Sequence, residues 1–319
     1  AVLYMYSPFT LGEVYVRGSL SGSGGLALLP FALASFLCLC RRPSLAWCAV
    51  AAIALAATIL VHNITAVVAS GMIGLAMVCH WWIARHGKAL AVSGLAVAVA
   101  LGVTAFYWVP AIEEKAWTHT ETLFSGAMDF HNHFVNPTGE IDGTIFSRYG
   151  YKPYSLTSSG PVDLHLAYPY GSPPYKASLL QGLLMLVCAV TLAVRRHRPP
   201  AAVALFMLSC LLFLLHTSWS RPFWETVPPF IQFPWRLIGP FSLCVAVVAS
   251  WALLSLSGRR AVLLLLLVGT AAVASSTLHL DTDLVPFEGG SVVSRDVLTG
   301  FELRDRNRAG IQSGAQFLP

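Results

Sequence analysis

Charged residues are scarce in this chain, and their scarcity excludes an ordinary water-soluble protein. Only 11% of the 319 residues are Asp, Glu, Lys or Arg, whereas 56% are hydrophobic. A soluble globular domain carries about 25% charged residues, which it needs to cover a water-facing surface. The composition therefore predicts an integral membrane protein.

Cysteine motifs, a signal peptide and a nucleic-acid-binding pattern are also missing. The seven cysteines all lie inside apolar segments, without CxxC or Cys/His metal spacing, which is typical of small buried hydrophobic residues. The chain begins at Ala1 without a charged leader and ends in QSGAQFLP, so we expect a fragment of a longer protein. The pI of about 8.9 does not indicate a nucleic-acid partner, because the basic residues occupy short loops between apolar runs.

Long apolar runs are abundant. Eight of them approach the ~20 residues that a helix needs to cross the hydrocarbon core of a bilayer. Backbone polar groups in lipid must bond within their own segment, so each run is predicted to be a helix. The predicted fold class is therefore all-α, a polytopic transmembrane helical bundle of about eight spans. The predicted spans cover residues 22–40, 44–62, 64–84, 89–109, 177–194, 201–218, 237–256 and 261–279.

Acidic residues are absent from every second connection between these spans. All fifteen Asp and Glu residues lie in the other connections or in the two tails. The positive-inside rule then places the basic connections in the cytoplasm, and eight spans alternate without conflict. The connections after spans one, three, five and seven hold nine basic residues: Arg41, Arg42, Arg85, Lys88, Arg195, Arg196, Arg198, Arg259 and Arg260.

This topology divides the chain into four parts. The 67-residue connection at 110–176, rich in Tyr, Gly and Pro, is too long to be a simple linker, so we expect an ordered loop domain on the outer surface. Any polar chemistry then faces outward. The four predicted parts are an N-terminal membrane bundle at 1–109, the outer loop domain at 110–176, a C-terminal membrane bundle at 177–279 and the start of an outer segment at 280–319.

Arg236 is the cation whose position most needs an explanation. It stands at the outer mouth of span seven, in the segment QFPWRL that also contains Gln232 and Trp235. One interpretation is an arginine that reaches along apolar surface to lipid headgroups. The other is an arginine aimed into a cavity, where its planar guanidinium binds a phosphate or carboxylate through two parallel hydrogen bonds. A positive charge on the outer side opposes the orientation bias, which favours the second interpretation.

Two further polar pairs lie near the predicted outer side. Glu13 and Arg17 are four residues apart, so on a helix they share a face, either as a surface ion pair or as the acid and cation of an outer cleft. His62 and Asn63 separate spans two and three almost without a loop. They either cap that turn or line a substrate cavity at membrane depth.

Acidic and histidine side chains of the outer loop are candidates for catalysis or metal binding. Glu113 and Glu114 begin the loop, and one of them is a candidate general base or metal ligand, with a solvated acidic pair as the alternative. In MDFHNHF, the side chains of Asp129, His131 and His133 would point one way from an extended strand. That pattern is compatible with a divalent metal such as Mg or Mn. Hydrogen bonding within the loop is the alternative.

Several short motifs occur in an order that resembles a known family. In chain order they are YVRGSLS, VHNITA, YWVPAIEEK, HNHFVNP, YGY, QFPWRL and GFELRDRNRAGIQSGAQFLP. The set resembles the bacterial polytopic membrane proteins termed 6-pyruvoyl-tetrahydropterin synthase-related, which are similar to YfhO-like and other GT-C-type glycosyltransferases. The resemblance covers nearly the whole chain. Nothing in the residues indicates the soluble zinc enzyme that the family's label suggests.

The resemblance implies a GT-C-like protein of the bacterial cytoplasmic (inner) membrane that transfers a hexosyl or pentosyl group from a polyprenyl-phosphate-linked donor on the outer face. Its further partners would be membrane lipids. The catalytic acid of that fold usually lies in the first outer loop, which would precede Ala1, so Glu13, Glu113 and Glu114 are the candidate carboxylates within this chain. The residues predicted to bind substrate are Arg17, His62, Asn63, Lys115, His133, Gln232, Trp235 and Arg236.

Two other functions are alternatives to the transferase. One is a transporter or flippase for a lipid-linked substrate, and the other is a non-catalytic membrane scaffold. Transporters usually contain internal repeats with interrupted helices in matching halves, and no such repeat is visible here. An enzyme predicts one outward-facing cleft with a carboxylate beside basic residues, whereas a transporter predicts a central cavity with access from both sides.

Overall fold

The chain folds into apolar helices, which confirms the all-α class. Two strands of two residues each, β1 (Phe146–Ser147) and β2 (Ala177–Ser178), pair in parallel beside them. The computed structural model describes residues 1–16, 18–84, 87–117, 129–134, 146–147, 177–196, 198–226, 231, 233–255 and 259–277. Most of the predicted outer loop domain and the predicted outer segment 280–319 lie outside these residues.

Each of the eight predicted spans contains apolar helix, and the span predicted at 89–109 is divided between two helices. The helices of the first half are α1 (Val2–Met5), α2 (Pro8–Leu11), α3 (Leu20–Arg41), α4 (Leu45–Val61), α5 (Asn63–Ala84), α6 (Gly87–Val103) and α7 (Ala105–Glu113). Those of the second half are α8 (Leu179–Val194), α9 (Pro200–Leu215), α10 (Arg221–Thr226), α11 (Ile238–Leu254) and α12 (Arg259–Thr277). Short π- or 3₁₀-helical turns cover Gly12–Val16, Glu114–Trp117, Phe130–Asn132, Ser218–Ser220 and Pro234–Leu237.

Serine hydroxyls define where several of these helices begin. The Ser19 Oγ accepts a hydrogen bond from the Gly22 backbone N–H at 3.1 Å and starts α3. The Ser44 Oγ caps α4 in the same way through Trp47 N–H. At α8, Ser178 and Gln181 form a reciprocal capping box. Each cap satisfies a backbone donor that the first helical turn leaves without a partner.

Length and composition qualify three described helical segments as membrane spans: Leu20–Arg41, Asn63–Trp82 and Pro234–Leu254. A fourth span results if α6 and α7 are counted together. The prediction of one continuous helix over 89–109 is wrong, because the chain bends by 66° between α6 and α7. Of the remaining apolar helices, α4, α8 and α9 have 16 or 17 residues, and the apolar part of α12 is Ala261–Ala274.

Helix α11 is the centre of the packing. Within the 18-residue apolar stretch of the segment that contains α11, 78% of the residues are buried. The corresponding fractions are 44% for α3 and 33% for α5. Helix α11 contacts α8, α9 and α3. A second cluster of buried side chains, including Phe36, Leu39 and Leu55, joins α3 to α4, α5 and α6. The helices therefore form two packed groups that meet between α3 and α11.

Hydrogen bonds at both ends of α8 show that it runs parallel to α11. Near the start of both helices, the Gln181 Nε2 donates to the Ser242 Oγ at 2.7 Å. Near their other ends, the Arg195 guanidinium donates to the Ser255 backbone carbonyl. The basic connection that follows α8 therefore lies at the same end of the bundle as the end of α11, as the predicted topology requires.

Glycines allow α3 to approach its neighbours closely. A Cβ atom on Gly25 would lie 2.8 Å from the Cβ of His62 and 2.9 Å from the Oγ1 of Thr65. A Cβ atom on Gly24 would lie 2.8 Å from a methyl group of Val61. Small residues at helix contacts are a general means of packing in membranes, where the hydrophobic effect between helices is weak. The start of α5 is therefore held against α3 at a distance that only glycine permits.

We predict that Gly25→Ala lowers the free energy of unfolding by roughly 1–3 kcal/mol, the usual cost of overpacking a close contact. The Cβ of His62 is attached directly to the backbone and cannot rotate away. The matched control is Gly71→Ala in α5, because a Cβ at Gly71 meets nothing within 4 Å. This substitution should leave the stability unchanged or raise it slightly. Thermal unfolding in detergent measures both variants, and equal melting temperatures would contradict the close-contact account.

Candidate functional site

Three polar side chains that are distant in sequence line one small cavity. Glu13 precedes α3, His62 separates α4 from α5, and Arg236 precedes α11. The volume of the cavity is about 20 Å³, enough for a water molecule or a single ligand oxygen. The other lining residues are Phe9, Gly22, Leu26, Ile64, Thr65, Val68 and Pro240.

The cavity lies at the end of the bundle where α3, α5 and α11 begin. The basic residue Arg41 is at the opposite end of α3, and the basic connection after α11 starts near Ser255. The site is therefore separated from the basic connections by the length of the helices. The sequence-based topology assigns this end to the outer side.

The backbone before α3 places the Glu13 carboxylate inside the protein. Gly18 has a φ of +59°, a conformation that favours glycine, and the Ser19 backbone N–H donates to the Glu13 carbonyl at 2.9 Å. Glu13 is 3% exposed, and its Oε2 lies 2.5 Å from the position of a Cβ on Gly22. A buried carboxylate is expensive unless polar or charged groups compensate it, so Glu13 is a strong indication of a specialised site.

His62 serves as the cap of α5 and as part of the cavity wall. Its Nδ1 accepts a hydrogen bond from the Thr65 backbone N–H at 3.3 Å and lies 2.7 Å from the Thr65 Oγ1. With Nδ1 as the acceptor, a neutral imidazole carries its proton on Nε2. His62 therefore both caps the turn and lines the cavity, and its contact with a substrate stays a prediction. Asn63 is exposed and accepts from the Ile64 N–H.

Aromatic rings hold the Arg236 guanidinium. Its central carbon lies 5.1 Å from the centroid of the Phe233 ring and 5.5 Å from that of Trp235. The two rings stack on each other with an interplanar angle of 16°, and Phe9 packs against Trp235. Cation–π contacts of this kind contribute roughly 0.5–2 kcal/mol and restrict the side chain. Arg236 is half-buried as a whole, and the Nε and Nη1 atoms of its guanidinium are buried at the edge of the cavity.

A short segment of the predicted outer loop packs against this aromatic cluster. The ring of His133 lies 4.0 Å from the ring of Phe233, centroid to centroid, and Phe134 packs edge-on against Trp224 of α10. The segment Asp129–Phe134 is thus in contact with both α10 and the aromatic support of Arg236. His133 belongs to the site through stacking.

Asp129, His131 and His133 do not form the predicted metal site. Among the residues that the structure describes, no group of three or more His, Cys, Asp or Glu side chains is arranged to hold a metal ion. The prediction assumed an extended strand, but Phe130–Asn132 form a 3₁₀ turn. The side chains of Asp129 and His131 meet, whereas the ring of His133 packs against Phe233. The alternative, hydrogen bonding within the loop, fits Asp129 and His131.

Asp129 and His131 instead connect the segment to α10. The Asp129 carboxylate accepts from the His131 backbone N–H at 3.0 Å and lies 2.6 Å from its Nδ1. The other ring nitrogen of His131 lies 3.6 Å from the carboxylate of Glu225, which pairs with Arg221 at 3.0 Å. The backbone hydrogen bond, followed by the side-chain contact with His131, holds the pKa of Asp129 below its ordinary value.

Other predicted residues do not line the cavity. Glu113, Glu114 and Lys115 are exposed at the end of α7 and in the 3₁₀ turn that follows. Arg17 and Gln232 lie outside the residues that the structure describes. The structure therefore brings together Glu13, His62, His133, Trp235 and Arg236 out of the predicted set.

Sequence reasoning missed Thr65 and the two glycines that shape the cavity. Gly22 and Gly25 are three residues apart and share a helix face, one residue closer than the four-residue spacing of small residues at close helix contacts. Two glycines on one face are a signal that could have identified them. Thr65 follows His62 by three residues, the offset between a cap residue and the backbone N–H that it accepts from.

We predict that Asp129→Asn loosens the segment Asp129–Phe134. A partly exposed pair of this kind contributes up to ~1 kcal/mol, so amide hydrogen exchange at 130–134 should accelerate up to about fivefold. In the unmutated protein the contribution is present above about pH 4 and is lost as the pH falls through the lowered pKa of the folded state. Glu113→Gln, in the exposed end of α7, is the control, and identical exchange in both variants would show that Asp129 does not hold the segment.

Comparison with protein-family models, with curated proteins and with solved structures found no match to this chain. The chemistry of the cavity residues and the distribution of charge along the sequence are therefore the basis for a functional proposal.

Proposed function

We propose that this protein is a membrane-embedded glycosyltransferase that binds a polyprenyl-phosphate-linked sugar at the outer face of the cytoplasmic membrane. The observation that supports the proposal most strongly is the meeting of Glu13, His62 and Arg236 in one cavity. The residue pattern predicted a carboxylate beside a cation at the outer end of the bundle. A carboxylate can serve as the general base for such a transfer, and a guanidinium can bind the phosphate of the donor.

The proposal includes eight membrane spans and a GT-C-like arrangement. Three or four described segments are long and apolar enough to cross a bilayer, and the shorter helices α4, α8 and α9 pack beside them. A helix of 16 or 17 residues rises about 24–26 Å, and the bilayer accommodates such a shortfall by local thinning or by its flanking residues. The one-sided distribution of basic residues supports the same topology.

Arg236 is proposed to bind the phosphate of the donor. A guanidinium offers two parallel N–H donors that match two phosphate oxygens, and the stacked rings of Phe233 and Trp235 orient it. The cavity of about 20 Å³ is too small for a whole phosphate. The phosphate would therefore sit at the mouth, beside the half-buried Arg236, with the polyprenyl chain in the bilayer.

Glu13 is proposed to act as the general base. The oxygen of an acceptor hydroxyl would form a bond to the anomeric carbon while the bond from that carbon to the donor phosphate oxygen breaks. The electron pair of the broken bond stays on the phosphate, and the Glu13 carboxylate takes the hydroxyl proton. The reaction thus moves one negative charge from Glu13 to the departing polyprenyl phosphate, where Arg236 stabilises it.

The binding half of the proposal is tested with decaprenyl phosphate and the protein in lipid nanodiscs. Removing a charge-assisted bidentate contact costs ~1.5–3 kcal/mol, so Arg236→Ala should weaken binding about 10- to 100-fold. Arg236→Lys keeps the positive charge but loses the two parallel N–H donors. Its affinity for decaprenyl phosphate should therefore lie between those of the unmutated protein and Arg236→Ala. Arg221→Ala removes an exposed guanidinium that pairs with Glu225 and should leave the affinity unchanged.

The neutral alcohol decaprenol provides the second control. We expect it to bind the unmutated protein and Arg236→Ala equally weakly, because it lacks the phosphate. Equal affinities of decaprenyl phosphate for the unmutated protein and for a folded Arg236→Ala variant would refute the binding site.

The catalytic half is tested with Glu13→Gln and a panel of decaprenyl-phosphate-linked hexoses and pentoses. Glutamine is similar in size to glutamate but cannot accept a proton, so donor binding should persist while sugar transfer falls at least about 100-fold. Full transfer activity in the Glu13→Gln variant would show that Glu13 is not the general base. That result would leave the proposed phosphate site at Arg236 standing.

A further inference from the structure

The helix α7 presents large apolar side chains to its surroundings. None of its nine residues, all of which the structure describes, is buried. Phe106 is 72% exposed and Ile112 66% exposed, and Trp117, in the following 3₁₀ turn, is 86% exposed. In water such a surface would favour aggregation. An apolar helix with so little protein contact needs another apolar environment.

Hydrogen bonds fix the bend between α6 and α7. The buried Thr104 donates its hydroxyl to the Ala100 carbonyl at 2.8 Å. The indole N–H of Trp108 reaches back to the Leu101 carbonyl at 3.0 Å. The second bond connects α7 to the last turn of α6 across the bend of 66°. The change of direction is therefore part of the folded structure.

The geometry places α7 near one boundary of the bilayer. The 17 residues of α6 rise about 25 Å at ~1.5 Å per residue. When α6 runs along the membrane normal, α7 is inclined at 66° to that direction. Its nine residues then add only about 5 Å along the normal. The end of α7 then lies about 30 Å from the start of α6, which is the thickness of the hydrocarbon core. Glu113, Glu114 and Lys115 follow at that level.

The exposed apolar surface of α7 continues that of α6. Leu95, Val99 and Val103 of α6 are all exposed, and in a membrane span such side chains contact lipid. Phe106 comes three residues after Val103, directly beyond the bend. Exposed apolar side chains therefore continue along the chain from α6 into α7.

We propose that α7 is an interfacial helix that binds the outer leaflet of the bilayer, with its apolar side chains among the acyl chains and Glu113, Glu114 and Lys115 at the headgroups. Its aromatic residues fit this location, because Tyr and Trp are enriched where the hydrocarbon core meets the headgroups. The occupant of the α7 surface is thus lipid. This inference does not depend on the glycosyltransferase proposal.

Spin labels attached to introduced cysteines test the inference in vesicles of phosphatidylethanolamine and phosphatidylglycerol. The variants are Phe106→Cys and Ile112→Cys, with Leu95→Cys as the lipid reference and Glu114→Cys as the headgroup reference. The native cysteines are buried or partly buried, and the unmutated protein measures their background labelling. Each variant must keep the melting temperature of the unmutated protein. We expect this result because the substituted side chains are exposed.

Collisions with oxygen and with a water-soluble nickel chelate distinguish the outcomes. For Phe106→Cys and Ile112→Cys we expect oxygen collisions to exceed nickel collisions by several-fold, as for Leu95→Cys, with a smaller ratio for Glu114→Cys. Nickel collisions equal to or above oxygen collisions would place α7 in water. Low collision rates with both reagents would show that protein covers α7, either another part of this chain or a second copy. Either result overturns the inference.

Discussion

The close approach of α3 to the start of α5 is the contact on which the candidate site depends. Gly25 allows the backbone around His62 and Thr65 to lie against α3, and Gly22 on the same face leaves room for the Glu13 carboxylate. Side chains at these two positions would separate the three polar groups of the cavity. The site is therefore a consequence of helix packing, and its polar residues are held by the same glycines that hold the bundle together.

The location of the charges follows from the solvent that surrounds the helices. Lipid cannot satisfy polar groups, so charged residues gather at the ends of the helices. At one end they are basic and occupy short connections. At the other end Glu13 and Arg236 lie within the protein, where aromatic rings and helix termini surround them. This asymmetry supports both the orientation and the use of that end for binding an anionic lipid headgroup.

Much of the fold could be predicted from the sequence, because apolar runs of this length allow little else. The site could be predicted only in part. Hydropathy locates helices but does not say which of them are neighbours, so the meeting of Glu13 with His62 and Arg236 required the structure. The bend at Thr104 was missed because the apolar run continues through it, and Gly102, two residues before the bend, was not taken as a signal for it. The metal prediction failed because it assumed a strand where the chain forms a 3₁₀ turn.

The sidedness of the cavity is the central claim, and labelling of intact cells with a membrane-impermeant thiol reagent tests it most directly. Trp219→Cys introduces a thiol at an exposed position near the cavity end of the bundle, and Arg196→Cys introduces one in a basic connection. The account predicts that the first variant is labelled from outside and the second only after the cells are broken. Labelling of Arg196→Cys on intact cells, with Trp219→Cys protected, would contradict the account.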